Sequence, residues 1–533
     1  MTSPLPIRND YWETFRFQEE DLEFLYNHLL EIETPLTPQE LIRALVTERI
    51  KNEKINLRSD LQAGGKVYYP KNRYAVGEKL VFPSNEWMQA VVTGVRPGYN
   101  PEFSEFDVID VTFQDGKTQQ YAAALAEHRL NTPIQVNEDD PNLDSVAVIK
   151  KYGMALAQSL TEQFEANPDL VRIAGRWFPR ALLVDVNIGY LNLAEALLEM
   201  EEGGPLTTCQ ILEQIELPSD VNIKLTEFSF NLALQEDGRF DEVGPTGEIL
   251  WYLKRLEPEE VKSIPLYLRY PTPAYPLAGF NDNTNGKLPG QIVDELEHAE
   301  DDPSTSVDKI TFSLLYPHWR SGTLPLTAQT KHIFPNAMEA PRIRFTFVDG
   351  HSGQKFPGWV VLANAYVFGL QDWFNEKGLI PGSLVTLQRG SQPGEVRISV
   401  DEKRASRDWV RTALVGNDGM IVLAVLKQMI STSYDERMAI FVPDTHALDQ
   451  LWEQNARQRK PLESVVIHMM RELAKLSPQG QVHAQELYST INLVRRCPSE
   501  PILSILNSSK WASYLGDFYY RLDEAILEKT IHE

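Results

Sequence analysis

Along the chain, apolar positions recur with a helical period in some stretches and a strand period in others. In EEDLEFLYNHLLEIE, Leu22, Leu25, Leu29 and Ile32 fall three or four apart, which predicts an amphipathic helix with an acidic outer face. PLTPQEL (Pro35–Leu41) then opens a second helix. Thr37 can cap it, Pro38 suits its first position, and Glu40, three residues after the cap, can return a hydrogen bond. Nearly the same phrase, PLTTCQI (Pro205–Ile211), sets Gln210 three residues after Thr207, and GQVHAQELYSTI sets Glu486 three after His483. Aligning Leu41, Ile211 and Leu487 makes the three starts coincide. After the second and third starts comes another helix (IKLTEFSFNLALQED; PSEPILSILNSSK), then an aromatic hairpin (RFDEVGPTGEILWYLKRL; KWASYLGDFYYRL). The first start has no clean hairpin behind it.

Two other regions read as strands. GGKVYYPKNRYAVGEKLVFP is turn, strand, turn, strand. From about Tyr74 to Asn131, YAVGEKLVF, WMQAVVTGVR, FDVIDVTF and KTQQYAA are short strands separated by turn residues such as Pro97-Gly98-Tyr99-Asn100 and Asp115-Gly116. NEDDPNLD (Asn137–Asp144) reads as a linker, 147–166 as a helix, and VRIAGRWF and ALLVDVNI as two strands. From about Val307 to Pro443 strands dominate again: KITFSLLY, RIRFTFVD, FPGWVVLA, SLVTLQRG, EVRISVD, WVRTALVG and MIVLAVL. YVFGLQDWFNEKG is expected as a short helix among them, and the whole as a closed or partly closed barrel of about seven strands. ELEHAEDD (Glu295–Asp302) is an acidic loop or helix end.

Length and composition narrow this picture. At 533 residues, with 42% apolar and 24% charged positions, the chain has ordinary globular composition and room for three to five domains of about 100–200 residues each. Cys209 and Cys497 are its two cysteines, too few for a disulfide framework or a multi-cysteine zinc site. The start, MTSPLPIRNDYWETF, lacks the pattern of a signal peptide, and the longest apolar run, Trp359–Leu370, is too short to span a bilayer, so a reducing cytoplasm is the expected compartment.

A formal net charge of -24 argues against uniform coating of a nucleic acid, yet the charge is uneven. Residues 1–34 carry two basic and eight acidic side chains, and residues 205–256 four against nine. The stretch LTEFSFNLALQED, the candidate recognition segment of that copy's second helix, has no basic residue, which suits protein docking better than DNA. Residues 35–73 reverse the balance, with eight basic and four acidic, and residues 451–522 carry nine and six. In the latter, Arg495 and Arg496 enter the second helix and Lys510 precedes the hairpin, the setting of a phosphate clamp. Segment 389–411 carries Arg389, Arg397, Lys403, Arg404, Arg407 and Arg411 against four acids. These nine cations are the candidate DNA-binding residues. The competing reading makes them solvated faces or intramolecular partners of the acidic parts.

Catalytic constellations fare worse. GFNDNTNGK (Gly279–Lys287) lacks the spacing of a phosphate loop, and Ile292 stands where a calcium loop needs a bidentate Glu. A surface turn is expected there. Ten histidines are scattered without paired spacing, with His318 of YPHWR read as a packed residue at a strand end, and no G-x-S-x-G elbow occurs. Asp349 with Lys355, or Asp401-Glu402-Lys403, reads as charged hairpin ends rather than a nuclease site. No catalytic residue, metal ligand or cofactor site is assigned, and no enzymatic activity is expected.

The order helix, helix, β-wing is that of a winged helix-turn-helix. The starts at Thr37, Thr207 and His483, with wings ending at Trp251 and Tyr520, resemble the HARE-HTH winged-helix family, found in the delta subunit of bacterial RNA polymerase and in chromatin-associated proteins. The strands of 74–131 resemble a small SH3-like or Tudor-like barrel, either structural or a binder of peptide or nucleic acid. GTLPLTAQTKHIFP, VDGHSGQKFPGWVV and GLQDWFNEKGLIPGSLVTL follow the order of a B3-like pseudobarrel, a family that typically binds DNA. The expected architecture is multidomain α+β. A winged-helix-like unit spans 1–65, an SH3-like barrel 66–135, a second winged-helix-like domain 145–262, a B3-like barrel 263–443 and a third winged-helix-like domain 444–533. The resemblances imply a transcription- or DNA-associated factor that meets duplex DNA through basic patches and proteins through acidic surfaces. The alternative is a protein-only adaptor on a machine such as RNA polymerase. No membrane partner is expected.

Overall fold

A computed structural model describes residues 10–63, 66–82, 88–100, 105–113, 116–131, 141–215, 217, 222–270, 294, 296, 308–337, 339–416, 419–458 and 460–532. The fold is mixed α+β, and the chain divides into two compact units, residues 1–185 with 219–229 and residues 186–218 with 230–533. Among the described residues no helix is long and apolar enough to cross a membrane. The expected turn at Gly279–Lys287, most of Glu295–Asp302 and the start of the 137–144 linker lie outside the described residues.

In the first unit the helix Glu19–Ile32 buries Leu25 and Leu29, and its buried Asp21 takes a hydrogen bond of 2.5 Å from Arg49 on the helix Pro38–Ala63. The expected capping box at the second helix is formed: Thr37 N donates to Glu40 Oε2 at 2.8 Å, and Glu40 N to Thr37 Oγ1 at 3.3 Å. A five-stranded sheet in chain order follows: Lys66–Val67, Lys79–Phe82, Met88–Pro97, Asp107–Phe113 and Thr118–Ala123. Its first pair is parallel and the rest antiparallel, over a core of Tyr68, Leu80, Phe82, Val92, Ile109, Val111 and Phe113. The helix Ser145–Glu165, capped by Asp144, then packs against Pro38–Ala63 and leads into a hairpin, Leu170–Ile173 with Arg176–Pro179.

Trp177 of that hairpin bridges back to Leu36, with Trp177 N donating to Leu36 O at 2.8 Å. The first phrase therefore does acquire a hairpin, more than a hundred residues downstream, beyond the inserted sheet. Two expectations change. The boundary at residue 145 does not divide the chain, because helix 145–165 and hairpin 170–179 complete the module begun at Leu36. ALLVDVNI is not a strand: Arg180–Leu182 is a 3-10 turn, and Asn187 caps a new helix, Ile188–Met200.

The second unit repeats this connectivity twice. In one module the strand Leu206–Thr207 leads into helices Thr208–Ile215 and Ile223–Glu236, the latter from Phe230 onward in this unit, and strands Phe240–Glu242 and Leu250–Leu253. In the other, Gln481–His483 leads into Ala484–Ile491, Ser499–Ser508, Ala512–Gly516 and Tyr519–Leu522. In both three-stranded sheets the first strand lies beside the last. The pairings also correspond: Leu206 faces Trp251 and Val482 faces Tyr520, as Leu36 faces Trp177. The residue before each helix cap thus pairs with a buried aromatic.

Both caps are closed reciprocally. Thr207 N donates to Gln210 Oε1 at 2.9 Å and Gln210 N to Thr207 Oγ1 at 3.2 Å. His483 Nδ1 accepts from Gln485 N at 3.1 Å while Glu486 Oε2 accepts from His483 N at 3.3 Å. Burial, then the nearby Arg437, lowers the His483 pKa, which keeps the ring neutral and Nδ1 an acceptor. Thr207→Ala should cost about 1 kcal/mol in urea unfolding, the usual worth of such a cap; an unchanged midpoint would deny the cap an energetic role.

Between these modules lies a seven-stranded sheet curled into a half-barrel. Its strands are β1 (Lys309–Ser313), β2 (Thr323–Pro325), β3 (Arg342–Asp349), β4 (Lys355–Val361), β5 (Tyr366–Phe368), β6 (Leu384–Arg389) and β7 (Glu395–Val400). Their order is β1-β6-β7-β3-β4-β5-β2, with only β3 and β7 parallel among the described pairs. Helices Tyr316–Ser321 and Gln371–Lys377 sit between β1 and β2 and between β5 and β6. Strict alternation along β3 (Ile343, Phe345 and Phe347 inward) fills the concave side with Phe312, Val360, Phe374, Leu387 and Ile398. His318 is packed, in the first of those helices rather than at a strand end, with Nδ1 2.9 Å from Thr323 Oγ1.

The expected count of about seven strands holds, but membership differs. YVF of the expected helix is β5, TLP is β2, and the last two expected strands leave the sheet as a separate ribbon, β8 (Glu402–Val415) and β9 (Ile421–Thr432). Short β2 pairs with short β5 at the edge of the sheet, and both carry too few residues to show a period in sequence.

Arg342 on β3 clamps the 206–253 module to the sheet, its Nη1 lying 2.8 Å from Asp241 Oδ2 and 2.9 Å from Glu257 Oε2. Glu242, beside this clamp, has its pKa pushed up to about 7 by burial, with Glu339 and Asp241 adding to the rise against hydrogen bonds from Gly244 and Leu250. An unfolded Glu titrates near 4.5, so the folded protein holds an extra proton between the two values, and stability falls as pH rises from about 4.5 through 7. Glu242→Gln should therefore stabilise the protein at pH values above 7, by on the order of 1–2 kcal/mol, and leave it unchanged in acid. Urea titrations at both ends of this range measure it; an equal effect at both would refute the linkage.

Candidate nucleic-acid interface

The ribbon arises because β8 and β9 carry alternating side chains and each face meets a core over only part of its length. Ala413, Ile421 and Leu423 enter the core of the C-terminal helices, while Val410 and Ile430 pack on Ile380 and Ala439. Leu423 N donates to the buried Glu472 at 3.3 Å, which fixes the ribbon against the helix Leu462–Leu476.

Its middle is left to solvent. Register pairs Arg407 with Met429, Trp409 with Lys427 and Arg411 with Val425, and alternation puts these six residues on one face. Trp409 is 65% exposed and Met429 59%. Lys427 Nζ stands 5.0 Å from the Trp409 ring, and Lys403 Nζ 4.5 Å from the Tyr434 ring. Lys403, Arg404 and Arg407 are all exposed. Asp408 is the acid among them; it accepts from Ser406 at 2.8 Å and pairs with Lys403 at 3.5 Å. Among the described residues no carboxylate pairs with Arg404 or Arg407 within 4.0 Å.

The other candidates divide. Arg411 is committed internally: Nη1 pairs with Glu486 at 2.6 Å and Nη2 donates to the carbonyls of Glu436 and Arg437. Arg389 at the end of β6 donates to His332 O at 2.6 Å, and Arg397 on β7 to Gly350 O at 3.2 Å, both from exposed positions. Arg495 donates to Lys460 O at 2.8 Å and is half-buried. Lys510 is exposed. Arg496 is corrected: its side chain has 0% exposure and forms an ion pair with the equally buried Asp294, which also accepts from Tyr488 Oη. A buried, neutralised guanidinium cannot reach a phosphate, so the expected clamp at Arg495 and Arg496 is not assembled. Of the nine, Lys403, Arg404 and Arg407 lie exposed along one strand, Arg407 on the Trp409 face and Lys403 beside Asp408 and Tyr434. Lys427 and Trp409 join them without having been singled out in sequence; the signal that could have found them is the cross-strand pairing itself.

Of the carboxylates weighed as nuclease pairs, Asp349 is occupied and Glu402 pairs with Lys377 at 2.8 Å. Burial alone would raise the Asp349 pKa, but hydrogen bonds from Ser352 N, Trp373 Nε1 and His351 N outweigh it and hold the carboxyl well below the usual range. Its cationic neighbour is Lys377 at 3.3 Å, while Lys355 pairs with Glu395 at 2.5 Å. Searches against family models, curated proteins and solved structures returned no match to this chain.

Proposed function

We propose that this chain is a non-enzymatic, transcription- or DNA-associated factor that contacts duplex DNA through the β8–β9 ribbon and proteins through its acidic surfaces. The observation that carries the reading is the exposed Arg407 and Lys427 on the Trp409 face of the ribbon, with the exposed Lys403 and Arg404 near the start of β8, in a chain of net charge -24. Strands in a ribbon lie about 4.8 Å apart, and a two-stranded ribbon fits the major groove, about 12 Å wide. Arg404 and Arg407, with no carboxylate within 4.0 Å among the described residues, are the kind of cations that release counterions from phosphates.

The fold-level resemblances support it by analogy. The three strand–helix–helix–hairpin modules are read as winged-helix units, the five-stranded sheet as an SH3-like barrel and the curled sheet as a B3-like pseudobarrel. The acidic 205–256 module is read as a protein-docking unit, and a nucleic-acid machine such as RNA polymerase as its partner. A protein-only adaptor is the second reading, favoured by the exposed Met429, Val425 and Val422 on the same ribbon. Fluorescence anisotropy of a short labelled duplex between about 50 and 200 mM salt separates the two. The first expects affinity to fall steeply with salt; absence of binding at the low end leaves only the second.

A further inference from the structure

A cleft of about 460 Å³ opens between the turn of the 240–253 hairpin and the outer face of β3 and β4. Leu250, Pro357 and Pro205 form apolar walls, and Arg344 and Thr346 line it from β3. Two arginines alternate on that face of the strand and are treated oppositely. Arg342 has two carboxylates, Asp241 and Glu257. Arg344 has none among the described residues. Its Nη1 donates to Gly204 O at 3.0 Å, its guanidinium lies 5.2 Å from the Tyr252 ring, and its Nε is out of solvent with no hydrogen-bond partner. Desolvation lowers its pKa, the direction for a cation short of a counter-charge. Of the other charges lining the cleft, Lys355 is neutralised by Glu395, and Glu248 makes no ion pair with Arg344.

A half-buried guanidinium without an anion is costly, and its fork matches carboxylate or phosphate oxygens. The volume lies within the range of small-ligand sites, which are mostly apolar with a few polar groups fixing orientation. We propose that this cleft binds a small organic anion, a carboxylate or phosphate monoester on an apolar body, with the head group on Arg344 and the body against Pro205, Pro357 and Leu250. The site is separate from the ribbon and independent of the DNA reading.

Titration calorimetry with benzoate, phenyl phosphate and benzyl alcohol tests it. Saturable millimolar or tighter binding of at least one anion, with benzyl alcohol at least tenfold weaker, is expected, and the two anions tell carboxylate from phosphate. Arg344→Met should weaken the anion at least tenfold. Should that variant fold poorly, Thr346→Glu, which sets a carboxylate two positions along the same strand face, should abolish binding while thermal unfolding monitored by circular dichroism stays unchanged. Failure of both anions to saturate, equal binding of the alcohol, or undiminished binding in folded Arg344→Met or Thr346→Glu protein would overturn the proposal.

Discussion

Asp294→Ala is expected to cost the C-terminal module about 3–5 kcal/mol, the penalty for leaving one member of a buried ion pair without its partner. Arg496 and Asp294 both have 0% side-chain exposure, and Asp294 also takes the hydroxyl of the buried Tyr488. Removing the carboxylate strands a guanidinium where water cannot reach it. Replacing the pair by apolar groups is far milder, so Asp294→Ala with Arg496→Met should recover much of the loss. Hydrogen exchange over residues 462–522 measures both variants; wild-type protection in Asp294→Ala would show the pair to be energetically idle. In DNA-binding experiments Arg496→Ala would lower binding by loosening the module and would not report a lost phosphate contact.

Alanine at Arg404, Arg407 and Lys427 together should weaken duplex binding on the order of 100-fold near physiological salt and reduce the log–log salt slope by about 3, roughly one per phosphate-contacting cation. These side chains are exposed, so thermal stability should change by no more than about 0.5 kcal/mol each. Trp409→Ala has a different signature: stacking is worth about 1–3 kcal/mol per base, so it should weaken single-stranded binding with little change in slope. An unaltered slope in the triple variant would remove the ribbon from the interface and leave Arg389, Arg397 and Lys510 as the exposed candidates.

Much of the secondary structure is legible because it rests on short-range physics. A capping box needs two side chains three residues apart, and all three boxes form at Thr37, Thr207 and His483. The strand Asp107–Phe113 alternates over enough residues to declare itself. The candidate site was legible only in part. Lys403, Arg404 and Arg407 cluster in sequence and stay exposed on β8, whereas Lys427 is a lone lysine until register brings it opposite Trp409. Arg411 and Arg496 look no different in sequence from Arg407; Glu486 and Asp294, 75 and 202 residues away, account for the difference.

Local order in the sequence determined where helices begin, which segments are strands and that charge is unevenly shared, since each depends on residues within a few positions of one another. Tertiary structure alone decided which pieces belong together. Leu36 reaches Trp177 across the inserted five-stranded sheet, so the first repeat is whole in space while interrupted in sequence. It also decided which cations remain available. A guanidinium is spent or free according to the carboxylates that long-range packing brings within about 4 Å, and at that distance burial and pairing outweigh any count of charges along the chain.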